Sequence, residues 1–535
     1  MIVRPAILHA IAVAIAIVAA LSVLAFSNPN RLAHDQIVHG TFIARLDDPT
    51  AFQGDYLFGD DRIETHNNYF LYGAMQWLRD RLGHQELIYW YFLPVFVGTF
   101  TLGMYALLWY ATRQWLASVL GALTANLYVP YIFMASWGLA GPSEVGSREV
   151  FTMFVPLLFL GFVRGMLERR DWLLFATFAA VGILGNVHLI SAFNFALILG
   201  LTLIFWGGIT WQNIRRIAVG GALALAGAAP YLLAYNRYRH LLPTGLAGVD
   251  PAAYRAVVAT VAAHTLPAGH WEGLWQWVGR EWYLFWPLVA IFVIMLWLRR
   301  RAGEGDGLDR LSICFVGAVI AVNAFISISQ WVKFYGFGAA PFFQIPRGMH
   351  FLYVVLFLFV GILLAQLIAW IRARVPSRRL VALSVAAIVL VAGFVALRGP
   401  WLAGRYRAYI TPRFSYVTCD DGVYEAVRSL SHSGDVLLVD PDYFSAVRPC
   451  TRRAVVVLRR DNGIAYSLGP DRLSEWVRRY DEVKTAFASP ETLLAVARRY
   501  GARFILSRTC AAVPGVVERY RHPANLNCVY QIGPS

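Results

Sequence analysis

Long apolar runs constrain this chain more than any motif does. A helix that crosses a bilayer needs about 20 predominantly apolar residues. Such stretches recur at 6–26, 87–111, 115–136, 149–165, 172–186, 189–207, 217–236, 282–298, 311–328, 350–371 and 380–397, eleven in all. Composition agrees: 58% of the 535 residues are hydrophobic and 15% charged, against roughly 25% charged in soluble domains. A soluble core, a disordered chain and a small disulfide scaffold are excluded. Arg4 before an apolar run, with Ala25-Phe26-Ser27 behind it, has the outline of a secretory signal. The run from Ile7 to Phe26 outlasts the ~7–15-residue core of such signals and reads as an uncleaved anchor.

The arginines set the orientation. Alternate short loops hold Arg113; Arg164, Arg169 and Arg170; Arg215 and Arg216; Arg299 to Arg301 and Arg310; Arg372, Arg374, Arg378 and Arg379. Positive loops stay inside, so these and the N-terminus are expected in the cytoplasm of a bacterial inner membrane. The loops 27–86, 137–148, 237–281 and 329–349 then lie outside, and eleven spans put the C-terminus outside too. The net charge of +15 is thus a topology signal, with no nucleic-acid partner implied.

The predicted membrane domain is 1–400, with a long first outer loop at 27–86. From 401 to 535 no run is long enough to span. Strand-like runs at 435–440, 454–459, 503–507 and 528–532 alternate with helical periodicity at 421–430, 472–483 and 491–500, which predicts a small extracytoplasmic α/β domain. Ser489-Pro490 reads as a helix start. Cys419, Cys450, Cys510 and Cys528 fall in this domain. An even number outside the cytoplasm favours two disulfides. Three pairings exist, of which Cys419–Cys450 with Cys510–Cys528 closes the shortest loops.

Long loops in compact proteins are usually functional. The first outer loop predicts amphipathic surface helices at 34–46 and 67–82, and carries Asp35, Asp47, Asp48, Asp55, Asp60, Asp61, Glu64 and His66. A carboxylate at the membrane boundary can take a proton from an incoming hydroxyl or amine, and Asp60 with Asp61 is the pair a divalent metal would use. Asp47-Asp48-Pro49 reads as a turn and cap. Polar residues also interrupt the apolar runs: Glu144, Arg148 and Glu149; Asn186 and His188; Lys333, Gln344, Arg347 and His350. Ionisable groups at membrane depth are costly and mark candidate sites, and arginine suits a phosphate. Snorkelling to lipid headgroups is the alternative for Arg148 and Arg347. There is no GxxxxGK[ST], HExxH, GxSxG or strand-borne GxGxxG, so nucleotide hydrolysis, zinc proteolysis and dinucleotide chemistry have no anchor.

The arrangement resembles the GT-C superfamily of integral-membrane glycosyltransferases, chiefly its bacterial members. The resemblance rests on HDQIVHGTFIARLDDPTAFQGDY in the first outer loop, SREVFTMFVPLLFLGFVRG followed by GNVHLIS in the middle, and TRRAVVVLRRDNGIAY with SEWVRRY in the tail. It implies a sugar donor on a polyprenyl phosphate and a glycan, lipid or protein acceptor approached from outside. It also implies an acidic residue of the first outer loop as base. Asp35 matches that position best and Asp55 second; Arg347, with Lys333 and His350, matches the place for the lipid phosphate. The Asp-Glu pair common in the superfamily is Asp35-Gln36 here, and a WWDYG-type motif is absent, which argues against Asn-linked transfer. Two other functions fit the same sequence. A transporter or flippase of a lipid-linked substrate would line its path with His188, Asn186 and Lys333. A non-catalytic scaffold subunit would keep the fold without the base.

Overall fold

A computed structural model describes residues 5–22, 34–66, 68–83, 85–132, 146–243, parts of 250–257, 285–304, 307–337, 345–374, 419 and, apart from short gaps, 422–533. Helices occupy ten of the eleven predicted places: α1 (Pro5–Ser22), α4 (Gln85–Thr112), α5 (Trp115–Ile132), α6 (Ser147–Thr152) with α7 (Val155–Leu167), α8 (Asp171–Gly185), α9 (Leu189–Gly207), α10 (Trp211–Gly227) with α11 (Ala229–Tyr238), α12 (Phe285–Arg301), α13 (Gly307–Phe337) and α14 (Leu352–Arg374). The run at 380–397 lies outside the described residues. Five of these segments are long and apolar enough to cross a membrane, six if the bent pair α10–α11 counts as one. The chain is a helical membrane protein with a small C-terminal sheet domain.

The helices share one apolar core, in which Phe100, Phe159, Phe162, Phe195, Phe315 and Phe357 are buried. The arginine-rich turns gather at one end of it. Arg216 pairs with Asp171 at 2.6 Å, Arg299 with Asp309 at 3.0 Å, and Arg164 with Glu168 at 2.9 Å. Arg310 donates to the Trp206 carbonyl at 2.6 Å. At the same ends, guanidinium groups stack on tryptophan: Arg310 on Trp206, Arg301 on Trp297 and Arg374 on Trp370, at 4.8, 4.4 and 4.3 Å. Arg and Trp at helix ends are the side chains that anchor helices at a membrane interface.

The opposite end carries the first outer loop, with α2 (His34–Asp47), a 3₁₀ turn (Asp61–His66) and α3 (Tyr69–Leu82). Both predicted helices are present, but α2 is not an amphipathic surface helix. From Gln36 to Ala44 its residues are buried or half-buried on every side. A helix apolar or sheltered all round belongs to a core, and α2 belongs to the core it shares with the tail.

In the tail, α15 (Gly422–Leu430), α16 (Val447–Thr451), α17 (Asn462–Leu468), α18 (Pro470–Ala488) and α19 (Pro490–Arg499) surround a five-stranded sheet. Its strands are β1 (Val436–Val439), β2 (Ala454–Val455), β3 (Ala502–Ser507), β4 (Val516–Arg521) and β5 (Cys528–Ile532), in the order β2-β1-β3-β5-β4. β2, β1 and β3 are parallel; β5 and β4 add antiparallel. Disulfides join Cys419 to Cys450 and Cys510 to Cys528, the pairing with the shortest loops. One hydrophobic cluster runs through both parts: Ile37, Phe42, Phe52, Leu57 and Ile63 of the loop pack with Val423, Leu437, Val455, Trp476 and Phe504 of the tail. The loop, drawn with the membrane domain on sequence grounds, therefore folds with the tail as one unit, named the outer unit below for the side that the arginine pattern predicts.

Candidate active site where the first loop meets the bundle

The loop is fixed to the tail by ion pairs as well as apolar contacts. Arg448 of α16 is central. Its Nε donates to Asp55 Oδ2 at 2.6 Å and its Nη2 to Asp461 Oδ2 at 2.9 Å, while Nη1 reaches the other oxygen of Asp461. Asp55 also accepts the backbone N–H groups of Leu57 and Phe58 at 3.1 Å and of Val455 at 3.0 Å. Asp461 accepts the Leu458 N–H at 2.8 Å and the Tyr56 hydroxyl at 3.4 Å. All three charged side chains are buried. Burial opposes the Arg448 charge, but the two carboxylates outweigh it and hold the guanidinium charged.

Asp55 was the second candidate for the base. Its two oxygens are engaged by three backbone donors and two guanidinium nitrogens, and it is buried between loop and tail. It is an anchor, with no lone pair directed to an acceptor.

Asp47 and Asp60 follow the same pattern. Asp47 takes Gln76 at 2.9 Å, Arg79 at 2.8 Å and Arg452 at 3.0 Å. Asp60 takes Arg62 at 2.8 Å and Arg472 at 2.6 Å, while Arg62 reaches on to Asp471 at 2.8 Å. Burial works against these charges, yet the arginines prevail and hold the Asp47, Asp60 and Asp471 carboxyls below the ordinary range. Asp48 caps its turn, accepting from the Thr50 N–H at 2.9 Å. Asp61 is exposed at the start of the 3₁₀ turn. Among the described residues no group of three His, Cys, Asp or Glu side chains could hold a metal ion, and Asp60 is committed to arginines.

At the bundle end, α6 and the 3₁₀ turn Ile345–Phe351 meet the start of α9. Phe351 lies 6.0 Å from Phe151 and 4.8 Å from Phe195, ring centre to ring centre. Around this aromatic knot sit Arg148, one helical turn before Phe151, and His350, adjacent to Phe351. Both are buried, as is Glu149, whose Oε2 accepts the Gly146 N–H at 2.8 Å. Asn323 of α13 joins them: Gly348 packs directly against its amide. Asn323 Oδ1 is buried with no hydrogen-bond partner among the described residues. The sequence signal for it is a single Asn inside the apolar run 311–328.

His188 caps α9, its Nδ1 accepting from the Ser191 N–H at 3.2 Å. Asn186 closes a corner. Its Nδ2 donates to the Ile183 and Gly227 carbonyls at 2.9 and 2.7 Å, and its Oδ1 accepts the Tyr231 N–H at 3.0 Å. These groups surround the break between α10 and α11, which meet at 65°. The Asn186 carbonyl accepts from the Asn68 amide at the start of α3, so the same residue ties the loop to the bundle.

Asp35 lies in the first turn of α2 beside the buried Gln36. Lys333 and Arg347 lie in α13 and in the 3₁₀ turn; the side chains of these three are outside the described residues, as is Glu144 altogether. The structure brings Arg148 and His350 to one knot, leaves His188 and Asn186 as caps, and takes Asp55 away. No protein-family model matches the chain, and no curated protein sequence matches it.

Proposed function

We propose that the chain is a GT-C-type membrane glycosyltransferase with eleven spans, its N-terminus cytoplasmic and its tail outside. It would move a sugar from a polyprenyl phosphate to an extracytoplasmic acceptor. One observation carries the reading: an outer loop fixed on two sides sits at the same end of the bundle as the buried Arg148 and His350. A lipid donor keeps its tail in the bilayer and its phosphate and sugar at that level. In the proposed reaction Asp35 removes the proton of the acceptor, whose oxygen or nitrogen attacks the anomeric carbon. The bond from that carbon to the phosphate oxygen breaks, and Arg148, His350, Lys333 and Arg347 offset the charge that develops on the phosphate. Preorganised charge of this kind is usually the largest catalytic contribution.

The bent pair α10–α11 favours a second reading, a transporter or flippase, because discontinuous helices often carry binding sites. Asn186 weighs against it, since it already satisfies the groups that the break releases.

Native mass spectrometry of gently purified protein tests the proposal. Wild type is expected to carry a polyprenyl phosphate or its sugar conjugate, and Arg148→Ala and Arg347→Ala to lose it. Only ordinary phospholipid in all three, with the variants folded, would overturn it in favour of a scaffold. Asp35→Asn separates the functions further: it abolishes transfer and leaves a scaffold unaffected.

A further inference from the structure

The tail's parallel strands have a reversal that the outer core does not use. From β1 the chain crosses to β2 on one side and then returns past β1 to β3 on the other. In open α/β sheets, ligands bind outside the carboxyl ends of the strands at such a reversal. The loop after β2 covers its own side, and its Arg459 N–H donates to the Pro441 carbonyl at 3.1 Å. What remains between β1 and β3 is Asp440, Tyr443 and Arg508.

We infer that this crevice is a saccharide-binding site, with Tyr443 as the stacking face and Asp440 as the acceptor of hydroxyl groups. Arg508, just past β3, stacks 4.9 Å from the centre of the Tyr443 ring, and Phe444 meets that ring edge-on at 4.9 Å. The ring is thus held from two sides and is still 40% exposed. Asp442 is fixed below it by the Tyr480 hydroxyl at 2.8 Å and Lys484 at 3.4 Å. Asp440 differs from Asp47, Asp55, Asp60 and Asp461, each of which pairs with an arginine. It accepts backbone N–H groups of its own loop and has no direct side-chain hydrogen bond or ion pair among the described residues, Arg508 acting on it from beyond contact distance. Burial raises its carboxyl above the ordinary value. In the same loop Ser445 Oγ is buried and has no hydrogen-bond partner among the described residues.

A sugar ring offers an apolar C–H face for an aromatic side chain and hydroxyl donors for a carboxylate. A nucleotide fits less well. The turn after β1 is Asp440-Pro441-Asp442-Tyr443, without the glycines that let a backbone cradle phosphate, and its two carboxylates repel an anion. As a binding site the crevice stands apart from transfer; as the dock of a glycan acceptor it rests on the reaction proposed above.

The test uses the full chain in lipid nanodiscs on an array of neutral and acidic bacterial envelope oligosaccharides, with Tyr443→Ala, Tyr443→Phe and Asp440→Asn beside wild type. Wild type and Tyr443→Phe are expected to bind. Tyr443→Ala and Asp440→Asn are expected to lose at least about tenfold in affinity, close to 1.4 kcal/mol, with thermal unfolding unchanged. No binding by wild type, or equal binding by all four, would overturn the inference. The donor readout keeps the two ideas distinct: saccharide binding at Tyr443 in a chain without polyprenyl donor sustains this site and rejects the transfer reading.

Discussion

Arg448 reaches Asp55 across 393 positions of sequence, Nε to Oδ2 at 2.6 Å, in surroundings that exclude water from both side chains. The contact fixes the relation between the two halves of the outer unit, because Asp55 belongs to the first loop and Arg448 to the tail. Removing one partner of a buried ion pair leaves an uncompensated charge, which costs about 3–5 kcal/mol. Arg448→Ala is therefore expected to lower the unfolding temperature sharply and to open the loop around 48–66 to limited proteolysis. Arg448→Lys is expected to do nearly the same, since a single ammonium cannot hold two carboxylates in forked geometry. Unchanged protease resistance in both variants would show that apolar packing alone holds the loop.

Asn186 makes a second, independent attachment. Asn186→Leu would leave the Gly227 carbonyl and the Tyr231 N–H without their partner, at about 1–3 kcal/mol for each buried group. Lower thermal stability with the tail still protected from protease is the expected result. Hydrogen exchange at 225–235 should rise.

Acid should loosen the outer unit in two stages. Burial pushes the His66 imidazole down to about 4 from its ordinary 6.5, so the unfolded chain binds a proton there that the folded chain refuses. The resulting stability is fully present above pH 6.5 and declines as pH falls towards 4. The depressed carboxyls of Asp47, Asp60 and Asp471 contribute above their unfolded values, near 4, and that share is lost only below them. Unfolding temperature against pH should thus fall gently from 6.5 to 4 and steeply below. His66→Gln should flatten the first segment alone.

The disulfides give a test of sidedness. Cys419–Cys450 and Cys510–Cys528 close segments 31 and 18 residues apart, and losing a native disulfide typically costs about 2–5 kcal/mol. Cells grown with a reductant should yield protein of lower thermal stability. After reduction, a membrane-impermeant maleimide is expected to label these four cysteines in intact spheroplasts. Labelling only after lysis would place the tail inside.

Much of the bundle was legible because each membrane helix carries its apolar run locally. The exceptions are instructive. α2 reads as a surface helix because Gln36, His39 and Arg45 are polar in sequence; what shelters them is the tail, and no local period reveals so distant a partner. β4 was missed because its side chains are largely exposed on both faces, which removes the alternation that marks a half-buried strand. Asp48 caps its turn as the sequence reads, whereas Asp55 and Asp60, candidates for chemistry, are bound up with arginines. Their signal lay in the opposite charge of VRPCTRR and DRLSEWVRR, which hold Arg448, Arg452 and Arg472. The knot of Arg148, His350 and Asn323 was legible in part, since polar residues in apolar runs stand out.

The shared core also orders events during synthesis. The loop leaves the ribosome early, whereas Arg448 and the strands it packs with follow some 393 residues later. At 5–20 residues per second, Phe42, Phe52 and Leu57 wait roughly 20–80 s without the surface that covers them. Ribosomes stalled before 448 should yield a loop still open to protease.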